Sequence, residues 1–497
     1  MSAPPIPRVG FRFPNRNLGQ TPLSPGNIIA VIGAGTIPDM VLNTPRSLGG
    51  SPDNVVNQAG YGPGPDLCAN LVQGGATVVY VPCDYTPATP SAVDHEGTGT
   101  SVMSVTGDPF DQYMQVIVTC VRAGTPGDAI PPRVTISLDN GNSETGQLNI
   151  PSDGSLDVLA DTTGMTFEFT AAALVVGDTY TFSVAYPTVA AADVVTALQG
   201  LKASTEPFSM IYVCGPFDKA DTDTILTEVA TFEARKKFVG GLFIESVDAD
   251  GDSEATWMAD LAEDFEGEAS DLLCVSAGYM PVRSVVLGCL MWRSIGWGAA
   301  VRASLVAISR DLGCREDEAL TSFGTVATQG PIISTPVIDG AIALPDGFFI
   351  HNEALVPGLN ANQFMTIMSE EGLPGFYITN PNLMSGPMSD YNLLQFRRIS
   401  AEVARLTNIY FVFQLSKDIL LNSEGLVLDK EATKWEQGNN TALGTLTTRQ
   451  NVSSLGTVVG RDANIINNEA IPVTVRWQPK GYPKVFDVTI AMTRTAA

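Results

Sequence analysis

The chain has 497 residues, 44% of them apolar, enough for about three domains with sizeable cores, which argues against disorder as its main state. Lys and Arg number 28 against 53 Asp and Glu, and a net charge of −25 argues against a nucleic-acid or anionic-membrane partner. Seven cysteines, never spaced as C-x-x-C and set in apolar runs such as VVYVPC and LLCVSAG, read as buried reduced thiols rather than a zinc site or disulfide framework.

Residues 1–27, rich in Pro, Asn and Arg, read as an extended arm with one short alternation, Val9, Phe11 and Phe13. The N-terminal MSAPPIPRVGFRFPNR has no apolar signal region, so general secretion is not expected. NIIAVIGAG at 27–35 predicts a buried strand, Asp66 to Gln73 a helix, and GGATVVYVPCDY at 74–85 a second strand. The Pro, Thr, Ser and Gly-rich stretch from Thr86 to Gly107 then marks a boundary. Beyond it only strands are predicted, QVIVTCV, RVTISL, MTFEFT and TYTFSVAY, with Asp139-Asn140-Gly141 as a hairpin turn. Helical signals return after Pro187: Ala191 to Lys202, the strand FSMIYVCG, a helix from Asp221 to Phe238, the strand GGLFIES, and a helix from Glu254 to Phe265.

Val285 to Ile308 is the most apolar stretch, cut by Arg293 and Arg302 into pieces too short to cross a bilayer, and it predicts a buried helix pair. Strands near 346–350 and 375–379 follow, then a helix from Tyr391 to Thr407, the strand IYFVFQL, and a helical stretch from Leu426 to Leu446. From Val473 to Trp477 the chain alternates, with Val473, Val475 and Trp477 on one face and Thr474 and Arg476 on the other. After a turn at 479–483 a second alternation places Phe486, Val488, Ile490 and Met492 on one face. A terminal strand of this kind either closes its own sheet or is lent to a neighbour's sheet edge.

The expected fold is α/β and multidomain: a discontinuous mixed α/β core with an inserted small all-β domain and extended N- and C-terminal arms. Its divisions are an arm at 1–27, core at 28–100, insertion at 101–188, core at 189–385, a C-terminal domain at 386–482 and an arm strand at 483–497. Charge is uneven along them. Residues 1–390 carry 16 basic and 44 acidic side chains, whereas 391–497 carry 12 and 9, either an end that meets an acidic partner or a mixed-charge surface.

Catalytic constellations are not visible. Gly33-Ala34-Gly35 starts like a dinucleotide fingerprint, but Pro38 stands at the third glycine position, which leaves a tight structural turn. His95 and His351 have no partner histidine at metal-ligand spacing. Asp248, Asp250, Asp252 and Glu254 miss the Gly and Glu of a calcium loop, having Ser253 and Ala259 there, and read as a solvated acidic face. No cofactor, metal or catalytic residue is expected.

The chain resembles contractile tail sheath proteins of bacteriophages and related injection machines. The likeness rests on a Pro and Gly-rich start leading into IIAVIGAG, on GGATVVYVP, and on a β-rich insertion with SLDNG and VVGDTYTFSV. It rests also on YNLLQFRRIS, with Arg397-Arg398 opening the C-terminal domain, and above all on the ending GRDANIINNEAIPVTVRWQPKGYP to VFDVTIAM. The opening arm departs from the family's Gly-Val-Tyr-Val run, having Val9-Gly10-Phe11-Arg12-Phe13.

The resemblance implies a non-enzymatic subunit that polymerises as six-fold rings stacked helically around an inner tail tube. Contraction from a metastable extended state would then drive the tube through the target envelope. It implies baseplate and tail terminator partners, no nucleic acid or membrane, and a place in a virion tail assembled in the host bacterial cytoplasm. Strand exchange between subunits would fall to Val9, Phe11, Phe13, Phe486, Val488, Ile490 and Met492. Lys417, Lys430, Lys434 and Arg449 would face the tube, and Arg397 and Arg398 would serve either a C-terminal domain interface or helix-surface ion pairs. A bacteriocin or secretion-type sheath, and an α/β enzyme with a β accessory domain, are the alternative readings.

Overall fold

The computed structural model describes residues 25–247, 252–315, 350–373, 375–386, 388–462 and 470–484. It opens with β1 (Ile29–Gly33), β2 (Arg46–Leu48), α1 (Pro52–Ala59), α2 (Pro63–Gln73) and β3 (Val78–Pro82). Next come β4 (Asp94–Glu96), β5 (Met103–Gly107), β6 (Tyr113–Arg122), β7 (Arg133–Ser137), β8 (Leu148–Asn149) and β9 (Ser155–Leu156). The single turn α3 (Ala160–Thr163), β10 (Met165–Phe169) and β11 (Thr179–Val184) complete this β-rich region. The α/β texture then resumes with α4 (Ala191–Ala203), β12 (Met210–Phe217), α5 (Lys219–Ala230), β13 (Leu242–Ser246), α6 (Glu254–Asp264) and β14 (Leu273–Ser276).

These segments build one sheet in the order β14-β13-β12-β1-β3-β2, parallel throughout except for the antiparallel edge strand β2. Helices cover both of its faces, which is why the strand runs are continuously apolar instead of alternating. Ile29 and Val31 point into one core with α1, α2 and the later helix α7 (Ile295–Leu305), whereas Ala30 and Ile32 point into a second with α4, α5 and α6. Strand order reverses between β1 and β12, the doubly wound switch point. There Gly33 lies so close to the neighbouring strand that a Cβ would stand 2.9 Å from Cys214 Cβ, so this glycine serves packing.

Between β3 and α4 the chain forms two antiparallel sheets, β4-β11-β6-β7-β8 and β5-β10-β9, around one apolar core. Alternating burial along β10 and β11 sends every second side chain inward. At the Asp139-Asn140-Gly141 turn Asn140 and Gly141 take φ of 57° and 79°, the left-handed values such a turn needs. The hairpin β15 (Tyr279–Arg283) and β16 (Leu290–Ser294) belongs to the α/β region, yet its Cys289 and Met291 pack inside the β-rich core. The two regions therefore share a continuous interior.

The stretch 285–308 is a strand followed by one helix, α7 (Ile295–Leu305), and not the expected helix pair. Among the described residues no helix is long and apolar enough to cross a membrane. After β17 (Ile367–Ser369) and β18 (Phe376–Ile378) comes the longest described helix, α8 (Leu394–Val412). It runs through most of IYFVFQL, so the strand expected there is helix, with Ile409, Val412, Phe413 and Leu415 exposed at its tip. Helix propagation from a packed first half outweighs the local β preference of that apolar run. Then α9 (Asp429–Ala442), α10 (Gly444–Thr448) and the antiparallel pair β19 (Ser454–Val459) and β20 (Val473–Gln478) close the described chain.

Candidate assembly site

The pair β19–β20 has two outer edges, and the sequence treats them differently. Gly460 N–H donates to Pro472 O at 2.8 Å, which with the register Val459↔Val473 fixes Thr474, Arg476 and Gln478 as the residues bonded to β19. Along β19 the alternate amides face α9 and are capped there: Thr457 N–H donates to Asn440 Oδ1 at 3.0 Å and Val459 N–H to Glu436 Oε1 at 2.9 Å. Arg461 secures that cap, with Nη1 2.8 Å from Glu436 Oε1 and Nε 2.9 Å from Asp429 Oδ1. Its hydrogen bond to Glu436, followed by the Val459 amide, holds the Glu436 carboxyl below its ordinary range.

On β20 the backbone groups of Val473, Val475 and Trp477 face outward, and among the described residues no strand pairs with them. Their side chains lean inward against the apolar clusters around Val452 and Val427, while Thr474, Arg476 and Gln478 are exposed. Six residues of extended chain offer roughly 20 Å of edge. A groove of about 670 Å³ lined by Phe411, Leu415, Ile419, Trp435, Ile471 and Val473 adjoins its start. This arrangement can accept an added strand through main-chain hydrogen bonds, with apolar pockets for alternate side chains.

Val9, Phe11, Phe13, Phe486, Val488, Ile490 and Met492 lie outside the described residues. The described chain ends beside a cleft of about 770 Å³ between Asp311, Arg315, Glu353 and Glu370, where Lys484 pairs with Asp311. Lys430 and Lys434 are exposed, four residues apart on one stripe of α9, whereas exposed Lys417 and Arg449 stand beyond α8 and at the end of α10. Arg397 pairs with Glu233 at 2.5 Å, and its guanidinium lies 6.0 Å from the Tyr391 ring centre. Arg398 is buried, donating to Ala303 O at 2.7 Å, and burial lowers it to about 10.

Sequence reasoning missed a buried ionic junction near the switch point. Arg293 on β16 forks onto Asp111, with Nη1–Oδ1 2.7 Å and Nη2–Oδ2 2.8 Å, and reaches Asp66 Oδ2 at 3.0 Å. All three are buried, and they tie the β-rich region to α2 and β16. Asp139 adds a second tie, accepting from Leu290 N–H at 3.0 Å. Glu245 at the end of β13 accepts from Tyr212 Oη at 2.9 Å and Trp297 Nε1 at 3.1 Å, and burial raises it from the ordinary 4.5 to about 7 against the pull of those bonds.

A raised carboxyl binds its proton more tightly in the folded state. The stability it contributes is present below pH 4.5 and is lost as pH rises through 7. We predict that Glu245→Gln flattens this fall, so that between pH 5 and 8 the variant loses roughly 2–3 kcal/mol less than the parent in urea titrations. Equal slopes in parent and variant would remove Glu245 from the account.

His351 is also buried, with Nδ1 2.8 Å from Glu254 Oε1 and Nε2 3.0 Å from Glu353 Oε2. Burial raises Glu353, but the His351 bond and the amides of Gly358 and Asn360 outweigh it and leave this carboxyl below its ordinary value. Asp252 is exposed, and Asp248 and Asp250 lie outside the described residues. Among the described residues no group of His, Cys, Asp and Glu is placed to hold a metal ion.

No protein-family model matches the chain, and no curated protein matches it. Among solved structures it is similar to the sheath tail protein from Listeria innocua, at 11% identity over 91% of this chain and 94% of that one, with a TM-score of 0.45. The sheath tail protein from Desulfitobacterium hafniense is similar at 10% identity over 95% and 100% of the two chains, TM-score 0.44. The helical sheath of the anti-feeding prophage in its contracted state is similar at 9% identity over the whole of both chains, TM-score 0.49.

Proposed function

We propose that the chain is the structural subunit of a contractile tail sheath, polymerising helically around an inner tube and contracting from a metastable extended state to drive that tube through a target envelope. The observation that carries this reading is the asymmetric hairpin: β19 has its outward amides capped by α9, while among the described residues no strand pairs with the outer edge of β20. A monomeric protein blunts both edges, and a subunit that receives a strand leaves one free. The alternating C-terminal sequence, Phe486 to Met492, supplies a strand to lend.

Heterologous contacts of this kind, repeated without closing on themselves, generate helical stacks of rings. The ends of such a stack would meet a baseplate and a terminator, and the assembled tail would form in the bacterial cytoplasm. Six of the seven cysteines are buried, which suits assembly under reducing conditions. The role is structural rather than catalytic, and the same reading covers a bacteriocin or secretion-type sheath.

The exposed cations Lys430 and Lys434, with Lys417 and Arg449, are proposed to meet an acidic tube. Electron microscopy of the purified protein should show helical tubes; monodisperse particles under all conditions would sink the sheath reading. Lys430→Glu with Lys434→Glu should still form empty tubes but should co-sediment with the inner tube at least about tenfold less, since rim charges tune encounter and register. Unchanged co-sedimentation would move the tube contact elsewhere.

A further inference from the structure

The end of α7 and the loop after it, residues 303–312, gather contacts from three parts of the chain. The last carbonyls of any helix lack intrahelical partners, and here distant segments supply them. Asn27 Nδ2 donates to Ser304 O at 3.1 Å and to Val306 O at 2.9 Å, while Arg398 Nη2 donates to Ala303 O at 2.7 Å and reaches Gly26 O at 3.5 Å. A cation at a helix C-terminus is also favoured by the helix dipole. Ile308 is buried among Ile399, Val403, Leu446 and Val452 of the C-terminal domain, and Ser309 Oγ donates to Asn451 Oδ1 at 3.1 Å.

The last described residues are held by the same segment. Tyr482 Oη donates to Ser309 O, Lys484 pairs with Asp311, and the Tyr482 ring lies 5.9 Å from that of Phe396, two residues before Arg398 on α8. Arg302 Nη1 closes the loop on itself by donating to Leu312 O at 3.0 Å. So Gly26 and Asn27, at the start of the described residues, and Tyr482 and Lys484, at their end, are fastened to one stretch of ten residues, 303–312, with Arg398 contributing to the Gly26 contact. Arg398 lies between them, with Nε and Nη1 buried and without partners among the described residues. A buried guanidinium lacking a carboxylate adds little stability, so its value is geometric: it sets the distance between α8, α7 and Gly26.

We propose that residues 303–312 are a shared anchor that couples the two ends of the described chain, so that loosening Tyr482–Lys484 loosens Gly26–Asn27, with Arg398 as the positioning residue between them. The coupling belongs to the single subunit; its use, passing load from one lent arm to the other, rests on the sheath reading.

Hydrogen exchange on the soluble full-length subunit tests it. In Tyr482→Phe/Lys484→Ala, amides of residues 26–28 and 303–307 should exchange roughly fivefold faster, while β12 and β13 stay unchanged. A rise confined to 309–313 and 480–484 would overturn the anchor. In an Arg398→Met background the effect of the Tyr482/Lys484 change should no longer reach residues 26–28, a non-additivity that a purely local role would not give. Should Arg398→Met not fold, Arg398→Lys serves instead and should transmit a reduced effect; full transmission would remove Arg398 from the coupling. Absence of tubes by electron microscopy would leave this result standing, and unresponsive amides at 26–28 would leave the sheath reading standing.

Discussion

Deleting residues 485–497, or placing Val475→Pro in the full-length chain, is expected to give one phenotype from two sides: folded subunits that no longer polymerise. The deletion starts beyond Lys484, the last described residue, and keeps its pair with Asp311, so the thermal midpoint is expected to move by no more than about 2 °C. Val475 faces its N–H away from β19, so proline there removes one outward donor and keeps the bonds made by Thr474, Arg476 and Gln478. The outer edge offers the N–H and C=O groups of Val473, Val475 and Trp477, which at about 1 kcal/mol each give roughly 6 kcal/mol. Association costs about 4–15 kcal/mol, so one lent strand cannot hold two subunits together in dilute solution. Within a lattice the same strand acts at high effective concentration, and assembly should show a lag and a sharp concentration threshold. Sedimentation velocity with electron microscopy checks this. Tubes formed by Val475→Pro at the parent threshold would show that β20 is not the receiving edge.

Much of the architecture is legible in the sequence where one physical pattern dominates. Strands buried on both faces, such as VVYVP and GGLFIES, announce themselves as apolar runs, and the alternation of TYTFSV marks a sheet with one inner face. Local pattern fails where tertiary context decides. IYFVFQL has the composition of a strand, but the packed first half of α8, with Leu394 and Ile399 buried, carries the helix on to Val412. The strand β20 is legible as an alternation from Val473 to Trp477, but the difference between the two edges of the pair depends on Asn440 and Glu436, which cap β19 from α9. Arg293 shows the limit most clearly. In the sequence it interrupts an apolar run, and its partners Asp66 and Asp111 stand 227 and 182 residues away. The signal available was chemical: an arginine inside LMWRS, with no acid beside it, needs a remote carboxylate if it is buried.

Replacing Arg293 should therefore have the largest effect on stability in the molecule. Arg293→Ala leaves Asp66 and Asp111 facing each other in the interior without their cation, a change that costs about 3–5 kcal/mol in buried pairs. It also removes the guanidinium stacked 4.6 Å from the Trp297 ring centre. Lysine cannot restore the fork, because a single ammonium does not present two parallel donors to Asp111. Burial, the largest influence on Asp66, already raises its carboxyl against the pull of Arg293. Without Arg293 the Asp66 carboxyl is expected to rise further, so the folded state holds its proton more tightly than the unfolded chain does. The variant should thus lose most stability at high pH and least near pH 4, the pattern of a carboxyl raised by folding. Urea titrations at pH 5 and pH 8 read this directly: the deficit of Arg293→Ala should be larger at pH 8. Adding Asp66→Asn and Asp111→Asn should recover much of it, since neutral groups remove the buried charge that the single substitution strands. A deficit independent of pH and untouched by those two changes would show that Arg293 acts through packing against Trp297 alone, and that the β-rich region is held to α2 by its shared apolar core rather than by charge.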